Sequence, residues 1–407
     1  MNVTVYPSPI GGRVQSPSSK SHVHRLLIAA ALCGDKQETA IRCPGENEDV
    51  AATVRCLSAL NTDIIKEGDW FRVSRDFPLH AFQPRGVLDC GESGSTLRFL
   101  LPLCAAKPYT AHAPVAMTGA GRLPSRPNGP LLEALRTHGA RIQGDFLPLT
   151  VDGGLTPGDF SLPGNVSSQF FSGLLFALPL LNGDSTLRYA SPLESMPYVD
   201  LTLSVLRQFG IRVDPMEKGW RVPGNQRYHS PGTAEAEGDW SAAAFWLGAN
   251  QLGNAVTVEG LNPASCQGDR NIRELLEKIG GEIDVSDTPD LMPVLSAVSA
   301  ATPGKTTRIT GGARLRLKES DRISAMAKAI RALGGIGEEL PDGMIIRGTH
   351  LRGGTVDGQN DHRVVMSAAV AATACLGPVT ILGAEAVSKS YPHFWRDFEA
   401  LGGIIHA

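Results

Sequence analysis

A run of polar residues, Ser16–Arg25, leads directly into the apolar segment Leu26–Leu32. Hydroxyl groups and a proline before a segment rich in leucine, isoleucine and alanine predict the N-terminus of a helix. Lys20, Ser21 and Arg25 would then lie on or near its first turn. Backbone N–H groups and the positive end of the helix dipole would point the same way, which suits the stretch to binding an anion. The alternative is a capped, solvated helix start with two incidental cations, since caps are commoner than binding sites.

Five further polar segments precede apolar runs later in the chain, and they carry the same kinds of side chain. The cations near these helix starts and in adjacent loops are Lys20, Arg25, Arg98, Arg126, Lys318, Arg322, Arg363 and Lys389. The neutral donors are Ser21, Ser93, Ser95, Ser167, Ser168, Ser195 and Gln169, and the carboxylates are Asp290, Glu319 and Asp361. Many cations with a few carboxylates indicate small substrates that carry phosphate and carboxylate groups, with acid–base chemistry between them.

Each of these residues also has a plainer interpretation. A single cationic side chain is usually an exposed surface residue without a functional role, and a single serine at a helix start is usually a cap. Asp290 would equally fit an N-cap carboxylate, and for Asp361 the N-cap is the favoured interpretation. Gly94 is either a turn glycine or a place where the backbone comes close to a ligand. However, these polar and charged residues recur at corresponding points of six segments. Exposure to solvent alone does not explain that recurrence.

The elements between the polar segments repeat as one unit that is used six times. The second unit runs from the polar segment Gly91–Thr96 through a helix at Leu97–Ala106, a strand near Tyr109–Ala113 and a helix at Pro127–His138 to a pair of strands. The period is roughly 70 to 75 residues, and it is shorter in the fourth unit. The first helix of each unit is almost without polar residues, so we expect it to be buried, whereas the second has a charged outer face.

Six units divide most simply into two similar α/β domains of three. We expect one domain to consist of residues 1–17 and 232–407, and the other of residues 18–231. The first strand, Val3–Tyr6, would then pair with strands of the C-terminal half, and two chain crossings would form a hinge. If the helix N-termini of the two domains face each other, the active site lies in the cleft between them, where six helix dipoles favour anions.

The bulk composition argues against several classes of protein. The chain has 407 residues, 42% hydrophobic and 19% charged, and its formal net charge is −3 without a basic block, so nucleic acid and membrane surfaces are poor partners. The longest apolar runs are too short to span a bilayer, and no targeting segment is visible. The seven cysteines form no C-x-x-C pair, which indicates reduced thiols in the cytoplasm. No phosphate-binding glycine loop, dinucleotide fingerprint or histidine/cysteine cluster occurs, so we expect no cofactor and no metal.

Seven short motifs make the whole chain resemble a known family. They are Pro17-x-x-Lys20-Ser21-x-x-x-Arg25, Gly94-Ser95 with Arg98, Arg122 to Arg126-Pro127, Ser167-Ser168-Gln169-Phe170, Pro197-Tyr198-x-Asp200-x-Thr202, Leu317-Lys318-Glu319-Ser320-Asp321-Arg322 and Asp361-His362-Arg363. Their order is that of the 3-phosphoshikimate 1-carboxyvinyltransferase (EPSP synthase) family of enolpyruvyl transferases. The resemblance implies two domains, each of three βαβαββ units in an inside-out α/β barrel, joined by a two-strand hinge.

The resemblance also implies a reaction, in which the enolpyruvyl group of phosphoenolpyruvate passes to the 5-hydroxyl of shikimate 3-phosphate and phosphate leaves. It assigns to shikimate 3-phosphate the residues Lys20, Ser21, Arg25, Ser167, Ser168, Ser195, Tyr198, Asp290 and Lys318. It assigns to phosphoenolpyruvate the residues Lys20, Gly94, Arg126, Gln169, Arg322, Arg363 and Lys389. A hydroxyl must lose a proton and an enol carbon must gain one. We expect Asp290 to be the base and Glu319 the acid, with Lys20 and Lys318 as alternatives for the second step.

The sequence departs from the family pattern at Ser18, Glu92, Phe99, Met196 and Arg314. These changes bear on affinity more than on the class of reaction.

Two other functions stay open, which are transfer to UDP-N-acetylglucosamine and non-catalytic anion binding. Enzymes of the first kind usually have a reactive cysteine in the loop that corresponds to Gly119–Arg126, which contains none here. A mere binder has no need for Asp290 and Glu319 among cations. We further expect the protein to be a monomer.

Overall fold

The structure is a computed structural model, and it describes residues 1–34, 37–74, 86–106 and 114–407. The chain divides into two compact units, of which the central unit is Lys20–Ala236. The terminal unit combines Met1–Ser19 with Glu237–Ala407. The boundaries expected from the sequence are 17/18 and 231/232. The strand expected near Tyr109–Ala113 lies outside the described residues.

The helices of the described residues alternate between buried and half-exposed ones. They are α1 Lys20–Ala31, α2 Glu48–Ala59, α3 Gly94–Ala105, α4 Gly129–Thr137, α5 Ser168–Ala177, α6 Met196–Gln208, α7 Trp240–Gln251, α8 Ile272–Glu277, α9 Met292–Ala300, α10 Arg322–Ala332, α11 His362–Ala372 and α12 Phe394–Ala400. The odd-numbered helices follow the six polar segments and are buried along most of their length. This confirms the expectation for the first helix of each unit, because a helix that is apolar on all sides needs cover on all sides.

Some helix ends differ from the predicted ones for local reasons. Apolar periodicity predicts a helix over residues 170–181, but α5 ends at Ala177, because Pro179 has no N–H to continue it and a 3₁₀ turn follows. A second helix is predicted from Glu319 onwards, but α10 begins at Arg322. The side chain of Asp321 caps α10 there by accepting a hydrogen bond from a backbone N–H of the first turn.

The strands of the described residues are short. They are β1 Asn2–Tyr6, β2 Gly11–Gln15, β3 Thr39–Arg42, β4 Asp63–Glu67, β5 Trp70–Ser74, β6 Leu88–Asp89, β7 Val115–Thr118, β8 Ile142–Gln143, β9 Leu149–Val151, β10 Asp159–Leu162, β11 Ser185–Tyr189, β12 Asp214–Met216, β13 Gly219–Val222, β14 Thr233–Glu235, β15 Ala255–Glu259, β16 Glu282–Asp284, β17 Thr306–Thr310, β18 Ile336–Leu340, β19 Gly343–Arg347, β20 Gly354–Asp357, β21 Val379–Leu382 and β22 Ile404–His406.

The described part of the central unit contains three four-stranded sheets of one design. Their strand orders are β14-β3-β5-β4, β6-β7-β9-β8 and β10-β11-β13-β12. In each sheet the first pair is parallel and the other pairs are antiparallel. A parallel pair needs a crossover connection, which α3 supplies between β6 and β7 and α5 supplies between β10 and β11. The third sheet with its helices therefore reads β10, α5, β11, α6, β12, β13, which is the βαβαββ unit.

The terminal unit, all of whose residues are described, repeats this design twice and shortens it once. Its four-stranded sheets have the orders β16-β17-β19-β18 and β20-β21-β1-β22, and β2 pairs only with β15. The two-strand sheet belongs to the repeat that the sequence predicts to be short. β1 lies antiparallel to β21, with Val3 opposite Ile381, which confirms that the first strand pairs with the C-terminal half.

Each unit has a hydrophobic core of its own. The central core surrounds α1, α3 and α5, and the terminal core surrounds α7, α9 and α11. In the terminal core, the buried Trp246 stacks on Phe394 with 5.1 Å between ring centroids. Among the described residues, the structure contains no helix whose length and apolar character would let it traverse a bilayer.

Candidate functional site

Lys20, the first residue of α1, forms an ion pair with Asp49 in the first turn of α2. The Lys20 Nζ and Asp49 Oδ2 atoms are 2.8 Å apart, and each side chain is 14% exposed. Asn47 caps α2 by accepting a hydrogen bond from the N–H of Val50, which fixes the turn that carries Asp49. The ammonium group of Lys20 therefore has a defined place at the starts of two helices.

Arg25 is buried and cross-links α1 to α6. Its Nη1 atom donates to the carbonyl of Ser21 at 2.6 Å, and Nη2 donates to the carbonyl of Tyr198 at 2.8 Å. Its Nε atom donates to Thr202 Oγ1 at 2.8 Å. Ser195 stands just before α6, buried and in a left-handed conformation with φ of 57°. Arg25 thus holds two other predicted site residues, Ser21 and Tyr198, close to each other.

The guanidinium group of Arg126 lies directly against Gly94, the first residue of α3. A Cβ atom added at Gly94 would be 2.8 Å from Arg126 Nη1 and 3.0 Å from Cζ. Arg126 is 5% exposed. The next residue, Pro127, is held through its carbonyl, which accepts a hydrogen bond from Arg98 Nη2 at 3.0 Å. Glycine at position 94 therefore gives a buried arginine its space beside a helix N-terminus.

Gln169 connects the starts of α3 and α5. Ser168 begins α5, and the hydroxyl of Ser167 accepts a hydrogen bond from the N–H of Gln169 at 3.3 Å. The amide oxygen of Gln169 accepts from Arg98 Nη1 at 2.8 Å, and its amide nitrogen donates to Ser95 Oγ at 2.9 Å. Both ends of the amide group are thereby fixed, so the predicted ligand Gln169 is held in one orientation.

In the terminal unit, the carboxylate of Asp290 joins two arginines. Asp290 Oδ1 accepts from Arg322 Nη1 at 2.8 Å, and Oδ2 accepts from Arg363 Nη2 at 2.7 Å. Burial alone would raise the pKa of Asp290, but the charges of Arg363, Lys318 and Arg322 outweigh it and hold the pKa well below its usual range. Asp290 is therefore ionised and held in a strongly positive environment.

Arg322 is almost completely buried and donates to three carboxylates. Besides Asp290, it reaches Glu319 through Nη2 at 2.7 Å and Asp361 through Nε at 2.8 Å. Burial would lower the pKa of Arg322, but Asp361, Glu319 and Asp290 raise it. The planar guanidinium group suits this arrangement because its N–H groups point in fixed directions.

Of the two carboxylates for which the sequence left an N-cap open, Asp361 is a cap. Its Oδ1 atom accepts a hydrogen bond from the N–H of Arg363 at 3.0 Å, at the start of α11. The N-cap interpretation of Asp290 is wrong. A 3₁₀ turn, Pro289–Leu291, places Asp290 inside the first turn before α9, and its carboxylate turns to the arginine side chains instead.

Lys318 lies near these charges, and its protonated form is weakly favoured at neutral pH. Burial lowers the pKa of Lys318 to about 7, with Arg322 and Arg314 acting in the same direction and Asp290 and Glu319 opposing them. At neutral pH this lysine is therefore close to the midpoint of its titration.

Lys389 ends a 3₁₀ turn that follows β21, and it is buried. Its Nζ atom donates to the carbonyl of Asn360 at 2.7 Å, immediately before the capping residue of α11. The terminal unit thus brings together Asp290, Lys318, Glu319, Arg322, Arg363 and Lys389, whereas Lys20, Ser21, Arg25, Gly94, Arg126, Ser167, Ser168, Gln169, Ser195 and Tyr198 belong to the central unit.

Sequence reasoning missed two acidic residues. Asp49 is the partner of Lys20, and its only signal was its place near the start of a predicted helix. Asp269 is buried beside the terminal cluster and accepts a hydrogen bond from the hydroxyl of Ser241. Burial and the nearby negative charge of Asp290 raise the pKa of Asp269 to about 6. Its signal, an aspartate at the start of a predicted helix, is shared by many capping residues.

Three departures from the family pattern lie at defined places. A Cβ atom added at Gly121 would be 2.5 Å from the carboxyl group of Glu92, so Glu92 packs against the loop that leads to Arg126. Arg314 is buried and donates to the carbonyl of Ser286, on the segment before Asp290. Phe99 is part of the central core.

Within the described residues, no group of three or more histidine, cysteine, aspartate and glutamate side chains is arranged to hold a metal ion.

Comparison with known proteins identifies the family of the chain. A model of the EPSP synthase (3-phosphoshikimate 1-carboxyvinyltransferase) family matches residues 5–292 and 280–398. The chain belongs to the EPSP synthase family. It is 40% identical to the 3-phosphoshikimate 1-carboxyvinyltransferase of Clostridium acetobutylicum, over 99% of this chain and 98% of that one. It is also 40% identical to the protein of that name from Halobacterium salinarum, over 99% of each chain.

The likeness extends to the fold. An EPSP synthase structure from Acinetobacter baumannii matches with a TM-score of 0.81 and 25% sequence identity, and the match covers 100% of both chains. The family match runs through both the central and the terminal unit. The EPSP synthase family is a family of transferases, so the chain is an enzyme of the class that the sequence motifs indicated.

Proposed function

We propose that this protein transfers the enolpyruvyl group of phosphoenolpyruvate to the 5-hydroxyl of shikimate 3-phosphate and releases phosphate. Membership of the EPSP synthase family supports this reaction. The observation that carries it is the ionised carboxylate of Asp290 between Arg322 and Arg363, with Lys318 beside them. The proposed reaction needs a carboxylate to accept the hydroxyl proton and cations to hold two anionic substrates.

The proposed binding residues fall into two sets. Those for shikimate 3-phosphate are Lys20, Ser21, Arg25, Ser167, Ser168, Ser195, Tyr198, Asp290 and Lys318. Those for phosphoenolpyruvate are Lys20, Gly94, Arg126, Gln169, Arg322, Arg363 and Lys389. The two units would act on the same pair of substrates, and the cationic side chains and helix N-termini would hold the reacting atoms in place.

The proposed chemistry is an addition followed by an elimination. Asp290 takes the proton of the 5-hydroxyl as its oxygen bonds to the central carbon of phosphoenolpyruvate. Glu319 gives a proton to the methylene carbon, which becomes a methyl group, and a tetrahedral intermediate results. A methyl proton then returns to Glu319 as the C–O bond to phosphate breaks and the double bond forms again. The proton held by Asp290 passes to the departing phosphate, so both carboxyl groups regain their starting states. The arginines and lysines stabilise the charge that develops on the phosphate.

The ion pairs of Asp290 bear on its strength as a base. A carboxylate that two arginines hold is a weak base, because its charged form is stabilised. If Arg322 and Arg363 turn their N–H groups to the carboxylate of phosphoenolpyruvate, they share their charge between two anions and the pKa of Asp290 rises. The proposed base would therefore gain strength when the second substrate is in place.

The test is phosphate release from phosphoenolpyruvate with shikimate 3-phosphate and UDP-N-acetylglucosamine as separate acceptors. We expect release only with shikimate 3-phosphate. Release only with the nucleotide sugar would assign the chain to the related transferase reaction. Release with neither, while both anions bind, would favour the anion-binding scaffold.

We also infer that the protein works as a monomer in the cytoplasm. All seven cysteines are among the described residues, and all are free thiols. Free thiols persist where the surroundings are reducing. Sedimentation at several protein concentrations tests the monomer, since a constant mass near 43.2 kDa is expected.

A further inference from the structure

We propose that Asp49 is a positioning residue that holds the ammonium group of Lys20 at the substrate site. The inference rests on the proposed function, in which Lys20 binds both substrates. Lysine has a long, flexible side chain, and only a partner with a fixed place can hold its tip in one position. The 2.8 Å ion pair with Asp49 supplies that partner.

The burial of the pair favours an active role. Both side chains are 14% exposed, so the charges attract each other more strongly than they would on the surface. Their remaining exposure leaves the ammonium group accessible to a small anion. By contrast, the pair of Arg42 and Glu235 in the same unit has side chains that are 44% and 64% exposed, as is usual for surface ion pairs.

Asp49 is itself tied to the start of α3. Its carbonyl accepts a hydrogen bond from Thr96 Oγ1 at 3.5 Å. Thr96 Oγ1 also lies within hydrogen-bond distance, 2.7 Å, of Ser93 Oγ, the cap of α3. Thr53, one turn after Asp49, lies 2.6 Å from the Thr96 hydroxyl and 2.7 Å from His24 Nδ1, measured from its Oγ1 atom.

These hydrogen bonds link the first two turns of α1 and α2 to the first turn of α3. His24 stays neutral, because burial, Lys20 and Arg25 keep its pKa well below the usual value. α3 begins with Gly94, against which the guanidinium group of Arg126 lies. Asp49 therefore contacts both Lys20 and the first turn of α3, which begins at the proposed phosphoenolpyruvate-binding residue Gly94.

The test is a double-mutant cycle of Asp49→Asn and Lys20→Met. Asparagine keeps the size of the side chain but removes the charge that holds the lysine. We expect Asp49→Asn to lower kcat/KM for phosphoenolpyruvate about 10- to 100-fold, mainly through KM, since small displacements of a binding group cost that much. In the Lys20→Met background the same change should have no further effect, because Asp49 acts through the lysine. Equal losses in both backgrounds would overturn the proposal.

Glu48→Gln is the matched control. Glu48 lies in the same turn of α2 and is exposed, and the change removes the same charge. We expect the kcat/KM of this variant to stay within twofold of the wild type. A loss equal to that of Asp49→Asn would mean that any negative charge in this turn has the same effect, and it would overturn the proposal. If the asparagine variant does not fold, Asp49→Glu serves instead. A longer carboxylate displaces the ammonium group without changing the charge, so KM should rise, and an unchanged KM would count against the proposal.

A binding measurement separates this proposal from the proposed reaction. Calorimetric titration with phosphoenolpyruvate alone needs no turnover. We expect Lys20→Met and Asp49→Asn each to weaken binding and the double variant to equal Lys20→Met. That pattern would uphold the role of Asp49 even if phosphate release with shikimate 3-phosphate failed. Binding that is weakened by Lys20→Met but unaffected by Asp49→Asn would overturn it while the proposed reaction stood.

Discussion

The carboxylate of Asp290 and the guanidinium group of Arg322 lie 2.8 Å apart in the terminal unit, although 32 positions separate them in the sequence. Arg322 also holds Glu319 and Asp361, so the proposed base and the proposed acid share one buried cation. A change at either carboxylate will therefore alter the pKa of the other. Isosteric changes, which keep the size of the side chain and remove its charge and one acceptor atom, are the most informative.

Asp290→Asn should separate catalysis from binding. The amide cannot accept the hydroxyl proton, so we expect kcat to fall about 100- to 10,000-fold. Its oxygen still accepts a hydrogen bond from an arginine, so binding of shikimate 3-phosphate should change much less. Steady-state phosphate release and calorimetric titration measure the two effects. Asp287→Asn, an exposed neighbour in the same segment, should leave both near the wild-type values. A variant at Asp290 that kept a tenth of kcat would mean that another group is the base.

Lys318 should make substrate binding depend on pH. Because burial lowers its pKa to about 7, Lys318 loses its proton as the pH rises through 7, and a phosphate group then loses a cationic partner. We expect the KM for shikimate 3-phosphate to rise between pH 7 and 9. Arginine stays charged over this range, so Lys318→Arg should remove that rise even if it raises KM overall. KM measured from pH 6 to 9 in both proteins makes the comparison.

Lys328→Arg is the control for this experiment. Lys328 lies on α10 and is exposed, so its replacement should leave the pH profile as it is in the wild type. An identical rise in KM in Lys318→Arg and the wild type would show that the titrating group is a different one.

Gly94→Ala should weaken the binding of phosphoenolpyruvate without damage to the fold. The new methyl group would lie 2.8 Å from Arg126 Nη1, which is too close, so the guanidinium group must move. We expect KM for phosphoenolpyruvate to rise about 10- to 100-fold. Thermal stability should not fall much, since alanine favours a helix over glycine. Gly129→Ala at the start of α4, where no atom lies within 4 Å of the added Cβ, should change neither quantity. An unchanged KM in Gly94→Ala would mean that Arg126 does not contribute to this site.

Gly173→Ala should destabilise the central unit. A Cβ atom at this position in α5 would lie 2.1 Å from the carbonyl oxygen of Arg98 in α3, and a backbone atom cannot turn away as a side chain can. We expect the free energy of unfolding to fall by about 1–3 kcal/mol as the helices move apart. Urea denaturation monitored by tryptophan fluorescence measures it. The Gly129→Ala variant again provides the comparison, and equal stability of the two would show that α3 and α5 are not held this closely.

The helix starts were largely predictable from the sequence, because a cap and an apolar run are local features. Lys20 opens α1 in the segment where a helix start was predicted, and Asp361 caps α11. α3 begins at Gly94, three residues before the predicted Leu97. The pairing of β1 with the C-terminal half also followed from the count of repeats. Boundaries such as the start of α10 were harder, since a 3₁₀ turn and a hydroxyl or carboxylate cap compete within a few residues.

The internal partners of the site residues could not be predicted in this way. Lys20 and Asp49 are 29 positions apart, and Asp290 and Arg363 are 73 positions apart. A single acidic residue near a helix start has the same local signature whether it faces water, caps the helix or holds a lysine. Only the folded arrangement of separate repeats decides between these possibilities. The pKa of Lys318 is likewise a product of burial and of four neighbouring charges, which no spacing in the sequence records.

The position of β1 has a consequence for synthesis on the ribosome. β1 is made before the central unit, whereas its neighbours β21 and β22 are made after it. The central unit, by contrast, has all its strands once β14 has emerged. The central unit is therefore able to fold while β1 is still unpaired, and the sheet that contains β1 is completed only after β21 and β22 have been made. The order in which the two units mature is thus set by the path of the chain.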